Sequence, residues 1–436
     1  MESIWRTLRL HVPGVANNLR RIIILWAVSL AAAGQFAHAQ SERVLHIFTG
    51  GPDGAQPQAG LTMDRAGNLY GTARYGGYYG GNCSSLGCGT VFELVHSGSS
   101  WILKSLHSFT GNNDGAWPVG PLYFGPDGAL YGTTLNGGGD GYGCGTVFRL
   151  TPAATICRAV TCPWDETVLI SFGAGITGLF PYGGVVFDAS GNLYGTTFQG
   201  GVLADCDGHG CGVVYELSHT NGNWVQTILY TFTGSNGAAP EAGLAFDASG
   251  NLYGTTAQGG GYDQGTVFRL SFSGSGWIGG PIYDFTGGGD GGGPSGSVIF
   301  DPAGNLYGVT AGGGAYYGGT AFELTPSNGA WTETVLESFY GDGDGPTGPL
   351  VRGSDASLYG TTGGASGLGS VFKLTLGSGG WIYTGLYDFS GGGSGSSPQG
   401  GLVLDADGNL YGTTNLGGDQ QCEPYEGCGV IFEVTP

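Results

Sequence analysis

The sequence predicts an all-β chain, a seven-bladed β-propeller with four antiparallel strands in each blade. Three observations predict it. The core "LYG" recurs with its tyrosine at Tyr70, Tyr131, Tyr194, Tyr253, Tyr307, Tyr359 and Tyr411, at separations of 61, 63, 59, 54, 52 and 52 residues. A motif at such a period marks a repeat array, whose units bury their apolar faces only by stacking on one another. Within each unit, short runs rich in apolar, aromatic and Thr residues alternate with Gly- and Asp-rich turns, the pattern of successive strands. The ends complement each other: "RVLHIF" opens the array as a fourth strand without its first three, and "GVIFEV" closes it as a third strand without a fourth. One N-terminal strand, seven triplets and six internal fourth strands give 28, or four for each of seven blades. Residues 43–48 are therefore expected to complete the blade formed by residues 400–436.

Residues 1–39 read as an export signal. Arg20 and Arg21 precede the apolar run "IIILWAVSLAAAG", and the small-residue site "AHA" ends at Ala39. The run is too short for a membrane anchor, and the paired arginines leave general and twin-arginine export both open. Cleavage would leave Gln40 first, with no Cys placed for lipidation. The expected organisation is a signal peptide over 1–39 and a propeller over 40–436. The expected location is secreted, periplasmic or on the cell surface of a Gram-negative-type bacterium.

In the fourth unit, "GLAF" and "NLYGTT" are two short strands joined by the turn "DASG". Asp247 begins that turn and Gly250 supplies a positive φ. The Asp row (Asp64, Asp188, Asp247, Asp301, Asp405) is thus read as turn chemistry, with calcium as the alternative ligand. The glycine after each LYG tyrosine marks close backbone approach. "GTVFRL" is the third strand, and a run from Trp to Phe forms the fourth. Trp101/Phe109, Trp164/Phe172, Trp224/Phe232, Trp277/Phe285, Trp331/Phe339 and Trp381/Phe389 are each eight residues apart, which reads both rows as core.

Composition permits a core despite 94 Gly and 19 Pro in 436 residues, because 40% of the chain is hydrophobic and 12% aromatic. Residues 1–39 hold four Arg and one Glu, so the remainder carries nine basic and 32 acidic residues, a formal charge of −23. Such a surface repels phosphate backbones and anionic membranes, which excludes nucleic acid as a partner class. Close cysteine spacing in an exported chain reads as local disulfides, Cys83/Cys88, Cys157/Cys162, Cys206/Cys211 and Cys422/Cys428, with Cys144 left over. Zinc is disfavoured because these pairs lie in different units and lack recurring His partners.

The string "GNLYGTT", a Gly-rich loop and then "GTVFEL" resembles the tandem GloVer repeat of exported bacterial proteins called choice-of-anchor. The resemblance covers residues 44–436 and implies a surface or secreted repeat protein. The chain stops at Pro436 directly after the last unit, so no anchor segment is expected there.

Chemistry is sparse in the repeat itself. The first strands, which line the channel of a propeller, read "GLTMD", "PLYFG", "GVVFD", "GLAFD", "SVIFD", "PLVRG" and "GLVLD", with no ring of His, Glu or Lys to hold a metal or activate a nucleophile. The exception, Arg352, is expected to pair with Asp355. The five His of the array, at 46, 96, 107, 209 and 219, are read as sharing no repeat position. The third-strand charge alternates through Glu93, Arg149, Glu216, Arg269, Glu323, Lys373 and Glu433, which suggests pairing between blades.

Function is therefore expected on the loops. Strand order puts the fourth-to-first and second-to-third loops on one face. Trp117 and Phe180 precede the loop proline in consecutive loops, and Tyr182, Tyr142, Tyr75, Tyr78 and Tyr79 share that face in blades one to three. With Asp114 and Asp140 as hydroxyl acceptors, these aromatics suit a sugar-like ligand. The expected partner is an extracellular glycan or protein, bound by a monomer without a cofactor. An enzyme of the lyase or hydrolase type, with one site at the channel mouth, and a purely structural envelope protein are the alternatives.

Overall fold

The computed structural model describes residues 41–436 except 81–82, 99, 140–142, 153–162, 174, 342–344, 364–367 and 423–426. Residues 1–39, read from the sequence as an export signal, and Asp140, Tyr142, Cys157 and Cys162 lie outside the described residues.

Each unit begins with a turn made by its own aspartate. Asp64 Oδ1 accepts from the amides of Ala66 (2.8 Å) and Asn68 (2.9 Å), and Oδ2 accepts from Asn68 Nδ2 (2.8 Å) and the Tyr70 hydroxyl (3.2 Å). Asp188, Asp247, Asp301 and Asp405 repeat this pattern on their own Asn and Tyr. Both carboxylate oxygens of the row are engaged in holding the hairpin.

The hairpin leads into a four-stranded antiparallel sheet. Blade one runs Thr62–Met63, Leu69–Ala73, Thr90–Ser97 and Ser100–Ser108 in spatial order. Five further blades follow the same order. The seventh is built from Val403–Leu404, Leu410–Thr414 and Val430–Thr435, and Ser41–Ile47 pairs antiparallel to Val430–Thr435 as its fourth strand. The N-terminal strand thus closes the ring, as the two incomplete ends predict. The described chain has 29 strands rather than 28. Gly292–Pro294 pairs with Leu306–Gly312 at Gly292↔Gly312 and Pro294↔Thr310. Elsewhere the corresponding loops meet in a single bridge, such as Ala55↔Tyr75 or Ala116↔Asn136.

Three contacts repeat around the ring. The fourth-strand Phe of each blade meets the third-strand ring of the next at 5.0–5.3 Å, through Phe48–Phe92, Phe109–Phe148, Phe172–Tyr215, Phe232–Phe268, Phe285–Phe322, Phe339–Phe372 and Phe389–Phe432. The third-strand ring lies close over the glycine of its own LYG: a Cβ on Gly71 would stand 2.6 Å from Phe92 Cζ. Only glycine fits there. Next, the first Thr of "YGTT" donates to a carbonyl of the following blade, as in Thr133 to Gly183 (3.0 Å), Thr196 to Ala242 (3.1 Å) and, across the closure, Thr413 to Ala59 (3.0 Å). Blade five has Val309 in that place. Last, Trp164, Trp277, Trp331, Trp381 and Trp101 each reach the LYG tyrosine of the preceding blade, at 5.8–6.3 Å.

These contacts revise four expectations. The Phe row is buried, but the Trp row is half-buried, because its rings cover the seams between blades instead of entering the core. Four of the seven third-strand charges pair within their own blades, as Lys104–Glu93 (3.2 Å), Arg149–Asp127 (2.6 Å), Lys373–Asp355 (3.0 Å) and Arg43–Glu433 (3.9 Å). Asp355 therefore takes Lys373, and Arg352 forms no ion pair among the described residues. His46 and His107 do share a position, two residues before the core Phe, where each faces the Asp of the next loop: Asp53 at 3.1 Å and Asp114 at 3.8 Å. His96 and His219 share another, beside Trp101 and Trp224.

Candidate functional site

The loop face is built around a proline in each fourth-to-first loop. The residue before it adopts a left-handed backbone: Gln56 (φ 54°), Trp117 (φ 58°), Phe180 (φ 59°), Ala239 (φ 55°) and Ser397 (φ 55°). That conformation costs energy for any residue but glycine, and backbone pairing on both sides holds it. The Trp117 amide donates to Cys88 O (2.8 Å) and its carbonyl accepts from Leu135 (3.0 Å), while Phe180 does the same with Cys144 (2.9 Å) and Phe198 (3.0 Å). The residue after the proline then lies beside the loop that follows the second strand. At this place the units differ from one another: Gln58, Val119, Tyr182, Glu241, Ser295, Thr347 and Gln399.

One arc of that ring carries a concentrated polar and aromatic cluster. The Arg74 guanidinium lies 5.0 Å from the Tyr75 ring centre and 6.0 Å from that of Trp117, and these two rings meet edge to face at 5.9 Å. Arg74 Nη1 donates to Gln58 Oε1 (3.2 Å), and Gln58 Nε2 donates to Asn415 Oδ1 (3.3 Å). Arg74 Nε is buried without a hydrogen-bond acceptor. Trp117 Nε1 donates to Gly87 O (3.2 Å). Tyr182 packs on Phe198 at 5.3 Å. Burial raises the Tyr182 pKa, the Arg74 charge opposes the rise, and the Glu241 charge adds to it, so all three groups share one neighbourhood. Glu241 is exposed by surface area, yet the surrounding protein still raises its carboxyl pKa through desolvation.

The other expected residues stand elsewhere on the same face. Asp114 accepts from the Thr110 amide (2.7 Å) and hydroxyl (2.7 Å), closing its own loop. Burial would raise its pKa, but nearby His107 and the Thr110 hydrogen bonds prevail and hold it below the usual carboxylate range. Asp53 and Asp290 make the same latch with Thr49 and Thr286. Tyr78 and Tyr79 are exposed, at 48% and 54%, and the Tyr79 hydroxyl donates to Gly50 O. Disulfides join Cys83 to Cys88, Cys206 to Cys211 and Cys422 to Cys428. Two of them press on a left-handed glycine of the adjoining loop, Gly111 for Cys83–Cys88 and Gly50 for Cys422–Cys428. Cys144 is buried, which raises its thiol pKa.

Sequence reasoning missed Arg74, Gln58, Asn415 and Glu241. The available signal was variation at one fixed place, the residue after the loop proline and the residue after the second strand. It also missed exposed tyrosines in blades four and five: Tyr262, Tyr317 and the stacked pair Tyr316–Tyr340, with ring centres 3.8 Å apart. Among the described residues, no group of three or more His, Cys, Asp or Glu is placed to hold a metal ion, and no helix is long and apolar enough to cross a membrane.

Comparison with known proteins is consistent with this architecture. The model of a family described as the Gloeobacter/Verrucomicrobia repeat matches residues 34–244 and 201–432. No curated protein matches. Among solved structures, a fungal alcohol oxidase of the AA5 family in complex with copper superposes with a TM-score of 0.54 at 13% identity, over 92% of this chain and 77% of that one. A polysaccharide lyase, the ulvan lyase of PL25, gives 0.53 at 10% identity over 90% and 95%. A putative 6-phosphogluconolactonase from Bacteroides fragilis gives 0.51 at 14% identity over 87% and 98%. At such identities the likeness concerns the fold alone.

Proposed function

The chain belongs to the Gloeobacter/Verrucomicrobia repeat family, and from that premise we propose that it is an exported binding module that takes an extracellular carbohydrate on its loop face. The observation that carries this reading is the arc of Arg74, Tyr75, Trp117 and Tyr182, a guanidinium set between aromatic rings where the repeat loses its symmetry. Aromatic faces offer sugar rings broad apolar contact at low entropic cost. Arg74 Nε, Gln58 and Asn415 supply directional donors and acceptors, and a carboxylated or sulfated sugar would pair with the guanidinium. Export is supported by the N-terminal signal pattern and by three disulfides, which persist in oxidising compartments. Trp117, Phe180, Tyr182, Asp114, Tyr78 and Tyr79 remain the proposed ligand-facing set.

The test is a glycan array with the secreted form, followed by titration of any hit. Arg74→Ala and Tyr182→Ala should each weaken binding at least tenfold with the melting temperature nearly unchanged. Full binding by the double variant would refute the site. A second reading, a lyase or hydrolase at the channel mouth, is favoured by Glu241, whose raised pKa suits proton transfer beside Tyr182 and Arg74. Depolymerisation of the bound glycan that Glu241→Gln abolishes would select it.

A further inference from the structure

The hairpin face, opposite the proposed sugar site, carries a cavity of about 710 Å³ between blades three and four. Its apolar walls are Phe187, Phe246, Phe272 and Trp277, and its polar walls include Asp188 and Glu216. Trp277 meets Tyr194 and Phe272 edge to face, each at 5.8 Å, and Phe272 is 62% exposed. The Tyr194 hydroxyl stands 3.1 Å from Asp188 Oδ2 and 3.3 Å from Glu216 Oε1. One phenolic proton serves one carboxylate at a time.

The repeat shows what this notch ordinarily contains. Blade two fills it with Arg149, which donates from Nε to Asp127 (2.9 Å) and to the Tyr131 hydroxyl (3.1 Å). In blade four Arg269 lies 5.8 Å from the Tyr253 ring centre, and in blade six Lys373 lies 5.2 Å from that of Tyr359. Blades one and seven have Glu on the third strand, like blade three. There the fourth strand places a cation opposite it, Lys104 against Glu93 and Arg43 against Glu433. Blade three puts Thr227 opposite Glu216. Blade five also has a threonine, Thr334 opposite Glu323, but at the register position of Phe246 its neighbour carries Arg352. Blade three alone among these has aromatic walls, two carboxylates and no cation of the chain at any of the three places.

We infer that the groove between blades three and four is a binding site for a guanidinium group supplied by a ligand, which stacks on Trp277 and Phe272 and pairs with Glu216, while Asp188, held by its own hairpin, adds its negative charge. A planar guanidinium can stack on a ring while donating in its plane to carboxylates, which an ammonium cannot do as well. The cavity takes in the aliphatic stem of an arginine side chain along Phe187 and Phe246.

The experiment titrates the full chain with N-acetylargininamide and with N-acetylcitrullinamide, its uncharged isostere, and follows heat release and the Trp277 indole resonance. Saturable binding is expected for the arginine compound, with the citrulline compound weaker by about tenfold or more. Thr227→Lys, which supplies the cation that Lys104 gives blade one, should abolish binding while leaving the melting temperature equal or higher. Glu216→Gln should weaken binding with the fold intact. Equal affinity for both compounds, undiminished binding by Thr227→Lys, or a Trp277 resonance that does not move at saturation would overturn the assignment.

Discussion

Tyr215 occupies a third-strand position that phenylalanine fills in the other six blades. Its hydroxyl is fully buried and has no hydrogen-bond partner. A buried unsatisfied hydroxyl costs about 1–3 kcal/mol, so Tyr215→Phe should raise stability by about 1 kcal/mol in denaturant titration. Ala356 is a second local departure, a non-glycine at φ 64° where the other hairpins have glycine. Ala356→Gly should stabilise by roughly 0.5–1 kcal/mol. Burial also raises the pKa of Glu166 and Glu333 to about 7. With folded pKa values above the unfolded one, these groups favour the folded state more as pH falls from about 7 toward 5. The hairpin aspartates act oppositely. Burial would raise Asp64, Asp247, Asp301 and Asp405, but hydrogen bonds outweigh it and lower them, so their contribution is lost only below about pH 4. The melting temperature should therefore peak on the mildly acid side, and Glu166→Gln with Glu333→Gln should flatten the rise between pH 7 and 5. The hairpin Asp and Gly were legible in the sequence because each makes its own turn. Arg74 was not, because its partners Trp117 and Gln58 approach it only after two loops pair.

At the level of strands, the repeat words translate directly into contacts between blades. The threonine row is the clearest case. Thr413 spans the closure to Ala59, whereas Val309 leaves its seam without that bond. Thr413→Val should cost about 1 kcal/mol, and Val309→Thr should recover a similar amount. Strand order and pairing were legible because alternation and turns are local signals. The role of the Trp row was not, since a period of one residue per blade cannot distinguish a core ring from one that covers a seam. Cation placement was equally hidden. The alternating charge on the third strand gains meaning only from the residue opposite it on the fourth strand and from the aspartate of its own hairpin.

For the molecule as a whole, similar units make a ring whose two faces each depart from the repeat at one place. The loop face loses its symmetry at the residues flanking each proline, and the hairpin face loses it where blade three lacks a cation. The Arg74 cluster depends on ring closure, since it joins Gln58 of the entry into blade one to Asn415 of blade seven. Closure is held by the pairing of Ser41–Ile47 with Val430–Thr435, the Phe48–Phe92 contact and the Thr413 bond. The most direct measurement compares amide exchange and thermal unfolding of the chain beginning at residue 41 with a chain lacking residues 41–48. The closed ring predicts rapid exchange at residues 430–435 and a sharply lowered melting temperature in the shortened chain. Unchanged protection together with an unchanged melting temperature would contradict it.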